Sequence, residues 1–239
     1  MISAILFDKD GTLFDFQLSW SAWAKAFLRD VADGNDLRAA HLGNLLGFDW
    51  QAARFREDSC VIAGTDDDII SILIPEMPGV SRDEIKLRIG LAAAEAPMSE
   101  VVPLAPFLDG LKARGLRVGV ATNDTESTAR AHLEAVKVLD RFDFVTGADS
   151  GHGAKPGPGM CLAFAAAFEV PPGEVLMVGD SLHDLHAGRA AGMRTLAVLT
   201  GVAGADALSP NADFVLPSIA ALPDLLGPDN RLKPTGHLS

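Results

Sequence analysis

The sequence is poor in cysteine, with only Cys60 and Cys161 among its 239 residues. The two lie far apart and neither belongs to a Cys-x-x-Cys pair, which excludes a disulfide framework and favours a reducing compartment. The N-terminus lacks a charged segment followed by a cleavage site, and no apolar run reaches about 18 residues without a charge or a proline. We therefore expect a cytoplasmic protein that does not enter a membrane.

Basic residues are also scarce. Twenty Lys and Arg against 32 Asp and Glu give a formal net charge of −12. No diffuse basic surface is therefore expected for nucleic acid or an anionic membrane, and an anionic substrate would need local positive charge. With 48% hydrophobic residues, the chain can bury the core of one large α/β domain with an insert. A monomer and a homodimer are both compatible with this composition.

Helices alternate with strands from residue 104 onward, after one strand near the N-terminus. The later strands are predicted at Leu116–Ala121, Phe142–Val145, Val175–Val178, Thr195–Val198 and Asp213–Leu216. The helices are predicted at Ala105–Arg114, Glu126–Val136, Gly159–Phe168, Leu182–Ala191 and Ile219–Leu226. This alternation predicts the α/β class, with a Rossmann-like, doubly wound parallel sheet.

The stretch between the first strand and residue 98 has a different pattern, in which strand signals are nearly absent. Its helices are predicted at Ser19–Val31, Asp36–Leu46, Asp49–Phe55, Asp66–Ile74 and Arg82–Ala96, the last capped by Ser81. Because the first strand belongs to the later sheet, residues 16–98 are predicted to form an inserted α-helical cap domain. Residues 1–15 and 99–239 then form the core domain, with a loosely ordered tail from residue 227.

Two carboxylates follow the first predicted strand. Its apolar run, Ile2 to Phe7, ends in a polar turn that contains Asp8 and Asp10. In open parallel α/β sheets, ligands bind in the crevice beyond the carboxyl ends of the strands. Side chains two positions apart share one face of a strand. Asp8 and Asp10 are therefore predicted to face one ligand, with Lys9 pointing away.

Three further polar segments follow later in the chain. Thr122 and Asn123 end a strand before a helix, where hydroxyl and backbone N–H groups suit an anion. Lys155 lies in a glycine-rich loop that enters a helix, while Asp180 and Asp184 follow another apolar strand. Taken alone, each residue is as readily a helix cap or a solvated surface residue. Their repeated occurrence at strand ends favours one shared site.

These segments supply the ligands that a magnesium ion requires. Mg²⁺ takes hard oxygen ligands in an octahedron and usually keeps waters and a substrate phosphate oxygen. Asp8, Asp180 and the carbonyl of Asp10 are candidate ligands, with Asp184 bound directly or one shell out.

The same segments supply the groups for phosphoryl transfer. Asp8 is the candidate nucleophile for an aspartyl-phosphate, and Asp10 is the candidate acid and base for the leaving alkoxide and the attacking water. Thr122 and Lys155, with loop N–H groups, are suited to stabilise the charge of the transition state. Thr122, Asn123 and Lys155 are therefore the candidate substrate-binding residues.

Four motifs occur in the order typical of one enzyme superfamily. They are Asp8-Lys9-Asp10-Gly11-Thr12-Leu13, Thr122-Asn123, Lys155-Pro156 and Gly179-Asp180-Ser181-Leu182-His183-Asp184. Through them the sequence resembles the haloacid dehalogenase (HAD) superfamily hydrolases of the phosphoglycolate-phosphatase-like type. The resemblance implies a Rossmann-like core with a helical cap inserted after the first strand, Mg²⁺ dependence, a nucleophilic Asp8 and an acid/base Asp10. The implied substrate is a small-molecule phosphate monoester, with 2-phosphoglycolate as one candidate.

Other functions share parts of this pattern. A phosphomutase of the beta-phosphoglucomutase type would use the same aspartyl-phosphate step, although no cap residues that would protect it can be identified. A phosphate-binding, non-catalytic HAD module would retain the fold without turnover. A dehalogenase departs from the second aspartate in this superfamily, so Asp10, Asp180 and Asp184 argue against that activity.

Overall fold

The computed structural model describes residues 1–62 and 64–233. The chain divides into two compact units. The first combines Met1–Asp15 with Glu100–Ser239, and the second is Phe16–Ser99. The sequence-based division at residues 15/16 and 98/99 differs from this one by one residue at the second boundary. That the second unit acts as a cap stays a prediction.

The strands of the described residues form two sheets. In chain order the strands are β1 (Ala4–Phe7), β2 (Phe48–Asp49), β3 (Arg54–Phe55), β4 (Arg117–Ala121), β5 (Phe144–Thr146), β6 (Val175–Gly179), β7 (Arg194–Val198) and β8 (Phe214–Leu216). One sheet has the order β5-β4-β1-β6-β7-β8, and its neighbouring strands are all parallel. The predicted α/β class with a Rossmann-like parallel sheet is therefore confirmed.

The helices connect the strands of this sheet and build most of the second unit. Within the described residues, and apart from short 3₁₀ turns, they are α1 (Phe16–Val31), α2 (Asp36–Leu45), α3 (Asp66–Leu73), α4 (Arg82–Ala94), α5 (Leu104–Ala113), α6 (Glu126–Ala135), α7 (Gly159–Ala167), α8 (Leu182–Ala190), α9 (Ala205–Leu208) and α10 (Leu222–Leu225). None of them is both long and apolar enough to cross a membrane.

β1 is the central strand on which the first unit is built. β4 and β6 pair with it on either side, and Phe7 lies opposite both Val120 and Val178. All four residues of β1 are fully buried, as expected for a strand with helices on both faces of its sheet. The carboxyl ends of β4, β1 and β6 consequently meet at one edge of the sheet.

The second unit has a hydrophobic core formed by one face of α1. The ring of Trp23 stacks on Phe27 at a centroid distance of 5.2 Å and contacts Trp20 edge to face. All three side chains are buried. The i, i+3 and i, i+4 spacing of these residues is the periodicity from which the helix was predicted.

The predicted helix at Asp49–Phe55 is wrong. The antiparallel hairpin of β2 and β3 occupies this segment. Asp49 Oδ1 accepts hydrogen bonds from the backbone N–H groups of Gln51 and Ala52 at 2.9 Å each, and Ala53 has a φ of 50°. An aspartate that bonds the backbone locally competes with helix formation, and the left-handed Ala53 completes the turn.

The C-terminal segment also differs from the prediction. Instead of one helix over 219–226, a 3₁₀ turn at Ile219–Ala221 precedes α10, whose second residue is Pro223. Residues 227–233 of the predicted loose tail make defined contacts, since Arg114 Nε donates to Asn230 Oδ1 at 3.0 Å. The rest of that tail, residues 234–239, lies outside the described residues.

Candidate active site

Three predicted site residues directly follow adjacent strands. Asp8 follows β1, Thr122 follows β4 and Asp180 follows β6. The Asp8 N–H donates to the Val178 carbonyl at 2.8 Å and so extends the β1–β6 ladder by one residue. The strand register therefore fixes the backbone of Asp8 before any side-chain contact is made.

The side chains of Asp8, Asp180 and Asp184 form a buried cluster. Each offers one carboxylate oxygen, and these oxygens lie within 4.8 Å of one another. Asp184 belongs to the first turn of α8, where the Ser181 N–H and hydroxyl donate to its Oδ2 at 3.1 and 2.6 Å. This reciprocal cap orients Asp184 toward the other two carboxylates.

The Lys155 ammonium lies against this cluster. Its Nζ donates to Asp8 Oδ1 at 2.6 Å, to Asp184 Oδ1 at 2.5 Å and to the Ala121 carbonyl at 2.8 Å. Asn123 holds the Lys155 backbone: its Nδ2 donates to the Lys155 carbonyl at 2.9 Å, and its Oδ1 accepts from the Lys155 N–H at 2.8 Å. Asn123 thus fixes the backbone that carries the Lys155 ammonium.

Burial and charge shift the protonation of these groups. Burial raises the pKa of Asp8 to about 7, and the nearby Lys155 ammonium only partly opposes this effect. Burial, together with the Asp8 and Asp184 carboxylates, raises the pKa of Asp180 well above its ordinary value. For Lys155, burial alone would lower the pKa, but Asp184 and Asp8 outweigh it and raise the pKa.

One ammonium therefore faces a cluster of three buried carboxylates. Buried charges are stable only when they are paired or when they coordinate a metal ion. Three hard carboxylate donors close together are the environment that a divalent cation such as Mg²⁺ prefers. A bound cation would favour the charged carboxylates that burial disfavours.

Glycines allow the turns to approach Asp180 closely. A Cβ at Gly11 would lie 2.3 Å from Asp180 Oδ2, and a Cβ at Gly201 would lie 1.8 Å from it. Gly11 also has a φ of 81°, which favours glycine. Thr12 Oγ1 then donates to Asp180 Oδ1 at 3.1 Å. Asp180 is consequently held between the turn after β1 and the loop after β7.

The loop after β7 was missed by the sequence reasoning. Thr200 and Gly201 follow this strand by two and three residues, and Thr200 Oγ1 donates to the Gly11 carbonyl at 2.6 Å. The sequence did contain a signal for this loop, a Thr-Gly pair after a predicted strand of the parallel sheet. The pair was not recognised because it carries no charge.

Asp10 lies outside the group of carboxylates that can share an ion among the described residues. Its Oδ2 accepts from Lys9 Nζ at 2.6 Å. Lys9 is fully buried and also contacts Asp124 and His132. The proposed role of the Asp10 backbone carbonyl as a ligand stays a prediction.

Thr122 is buried at the end of β4. Its N–H donates to the Thr146 carbonyl at 3.1 Å, and its Oγ1 accepts from the Asp124 N–H at 3.1 Å. A hydroxyl that accepts one hydrogen bond keeps its own hydrogen for donation. Thr122 can therefore still donate to an anion at the strand end.

Comparisons with known proteins agree with this geometry. A family model for haloacid dehalogenase-like hydrolases matches residues 2–192. Phosphoglycolate phosphatase from Nitrosospira multiformis is 30% identical over 219 residues, which cover 91% of this chain and 92% of the relative. Pyrophosphatase PpaX from Anoxybacillus flavithermus is 27% identical over 96% of this chain and 99% of its own length.

Solved structures share the fold. A predicted phosphoglycolate phosphatase from Haemophilus somnus superposes with a TM-score of 0.72 at 20% identity, over 95% of this chain and 98% of that chain. At this identity the likeness supports the architecture rather than a shared substrate.

Proposed function

The chain belongs to the haloacid dehalogenase-like hydrolases and is a phosphatase of that family, and from this we propose that it hydrolyses a small-molecule phosphate monoester with Mg²⁺ through an aspartyl-phosphate. The observation that carries the proposal is the buried Asp8–Asp180–Asp184 cluster with Lys155 against it. We propose 2-phosphoglycolate as the first substrate to test, because the Nitrosospira multiformis relative bears that name.

The donor set fits the proposed metal. Asp8, Asp180 and Asp184 would hold it, since all three present carboxylate oxygens, the ligands that Mg²⁺ prefers. Mg²⁺, when bound, would offset the repulsion between the Asp8 carboxylate and a phosphate dianion.

The proposed reaction has two steps. The Asp8 carboxylate attacks phosphorus, the bond from phosphorus to the ester oxygen breaks, and Asp10 protonates the departing alkoxide. Asp10, now a carboxylate, then removes a proton from a water that attacks the phosphoryl group, which frees Asp8. The ammonium of Lys155 and the hydroxyl of Thr122 would stabilise the charge on the phosphoryl oxygens.

We also propose that the second unit, inserted between β1 and α5, acts as the cap that selects the leaving group and excludes water.

We propose the cytoplasm as the location of the protein, because its two cysteines form no disulfide and so suit a reducing compartment. We propose a monomer or homodimer whose partner is a small phosphorylated molecule. The net charge of −12 disfavours nucleic acid and anionic membranes as further partners.

A phosphate-release screen tests the proposal. It compares 2-phosphoglycolate, sugar phosphates, nucleotides and pyrophosphate, each with Mg²⁺ and with a chelator. Pyrophosphate is included because of the PpaX relative. We expect Mg²⁺-dependent turnover of at least one monoester. Asp8→Asn should abolish this turnover, while its circular dichroism spectrum shows that the fold is retained. No release from any compound would contradict the proposal.

A further inference from the structure

Lys9 lies between the two aspartates of the first motif and is fully buried. Its Nζ donates to Asp10 Oδ2 at 2.6 Å, pairs with Asp124 Oδ2 at 2.9 Å and contacts His132 Nδ1 at 3.0 Å. Burial of an ammonium is unfavourable unless it is paired and hydrogen-bonded. Two carboxylates and an imidazole pair with the buried ammonium. An apolar side chain at this position would need none of these partners.

Two of the groups that contact Lys9, Asp124 and His132, come from a separate segment of the chain. His132 is buried on α6, and Asp124 lies just before that helix. Because a lysine ammonium is a donor only, His132 Nδ1 must accept the hydrogen bond, and the proton of the neutral ring then resides on Nε2. The ammonium is therefore also held by a segment that is distant in sequence from Asp10.

The two oxygens of Asp10 differ in their surroundings. Oδ2 is held by Lys9, whereas Oδ1 is buried and has no hydrogen-bond partner among the described residues. The turn that contains Asp10 is also held by backbone hydrogen bonds, since the Lys9 carbonyl accepts from the N–H groups of Leu13 and Phe14 at 2.9 and 3.1 Å. One oxygen is thus anchored, and the other remains available for a proton.

We propose that Lys9, held by Asp124 and His132, is a positioning residue that fixes the Asp10 carboxyl so that Oδ1 exchanges the proton with the leaving group. This inference rests on the function proposed above, and it adds how the Asp10 carboxyl is held in position. Lys9 touches neither substrate nor the reacting atoms in this account. It acts through Asp10 alone.

The inference predicts a dependence on the leaving group. An aliphatic alkoxide needs a proton to depart, whereas 4-nitrophenolate leaves without one. The aliphatic substrate is 2-phosphoglycolate, or another aliphatic monoester that the wild-type enzyme turns over in the screen. For this substrate, Lys9→Met should lower kcat/KM by about tenfold to a hundredfold, because general acid catalysis contributes this much or more. For 4-nitrophenyl phosphate, the same variant should lower kcat/KM by less than about threefold. The reason is that kcat/KM reports the steps up to departure of the leaving group, and 4-nitrophenolate departs without a proton.

Two controls separate positioning from a general loss of structure. Lys112→Met removes another ion-paired lysine, which bonds Asp143 at 3.3 Å, and should leave both esters unchanged. His132→Asn keeps an acceptor near the position of Nδ1, whereas His132→Leu removes it. We expect His132→Leu to lose between about threefold and tenfold with the aliphatic ester only, and His132→Asn to recover most of that loss.

The outcomes are distinct. Equal losses with both esters in Lys9→Met would overturn the positioning role, because charge or folding effects act on both substrates alike. If Lys9→Met does not fold, the His132 pair decides, and equal behaviour of the two His132 variants would overturn the inference. A wild-type enzyme that releases no phosphate would overturn the proposed function itself, and the inference with it.

Discussion

At the scale of the residue, the site depends on one ammonium. Lys155 contacts Asp8, Asp184 and the Ala121 carbonyl and is only 4% exposed. Removing one partner of a buried ion pair leaves the others charged and desolvated. The cluster therefore links stability and activity through a single side chain.

Lys155→Met should destabilise the protein and impair it at the same time. We expect the free energy of unfolding to fall by about 3 kcal/mol, and kcat to fall by about a hundredfold or more because a charge that stabilises the transition state is lost. Urea unfolding and steady-state kinetics measure the two effects. Lys112→Met, whose side chain is 36% exposed, should change stability by less than about 1 kcal/mol. Similar values for the two variants would contradict this role of Lys155.

Gly201 offers a test of how Asp180 is held. The Cβ of Gly201→Ala would overlap Asp180 Oδ2, so the Asp180 carboxylate or the loop that carries residue 201 must shift. We expect the Mg²⁺ concentration for half-maximal activity to rise about tenfold, as for other residues that orient metal ligands. Gly204→Ala is the matched control, because nothing lies within 4 Å of its added Cβ. An unchanged Mg²⁺ requirement in Gly201→Ala would contradict this account.

At the scale of the element, the regular strands and helices were predictable because their periodicity is local. Apolar runs such as Val175–Gly179 are buried on both faces and end in polar turns, so both the strand and the segment after it can be recognised. The hairpin at 48–55 was not recognised, because its turn depends on side-chain bonds of Asp49 and on the left-handed Ala53. Neither feature appears in an apolar pattern.

The N-cap of α4 supports a prediction for the second unit. Ser81 Oγ accepts from the Glu84 N–H at 3.1 Å, as the sequence indicated. Ser81→Ala should lower the free energy of unfolding by about 1 kcal/mol, because the first turn loses a partner for its N–H groups. Urea denaturation measures the change. Ser81→Asn, which retains a capping oxygen, should behave like the wild type, and equal losses in both variants would argue against a capping effect.

At the scale of the whole molecule, the fold brings together segments far apart in sequence. Asp8, Asp180 and Asp184 could be predicted as one site because their segments directly follow strands of a parallel sheet. Lys155 could be added because its loop enters a helix of the same alternating pattern. The contacts of Lys9 with His132 and of Thr200 with Gly11 span 123 and 189 residues. They depend on packing between elements, which no local spacing encodes, and so they could not be predicted.

The central claim is that Asp8 becomes phosphorylated during Mg²⁺-dependent turnover. The most direct measurement is mass spectrometry of the enzyme quenched in acid during turnover, followed by peptide mapping. We predict one added phosphoryl group on the peptide that contains Asp8, and neither adduct nor phosphate release in folded Asp8→Asn. Phosphate release that Asp8→Asn leaves undiminished, or a phosphoryl group on a different side chain, would contradict the claim.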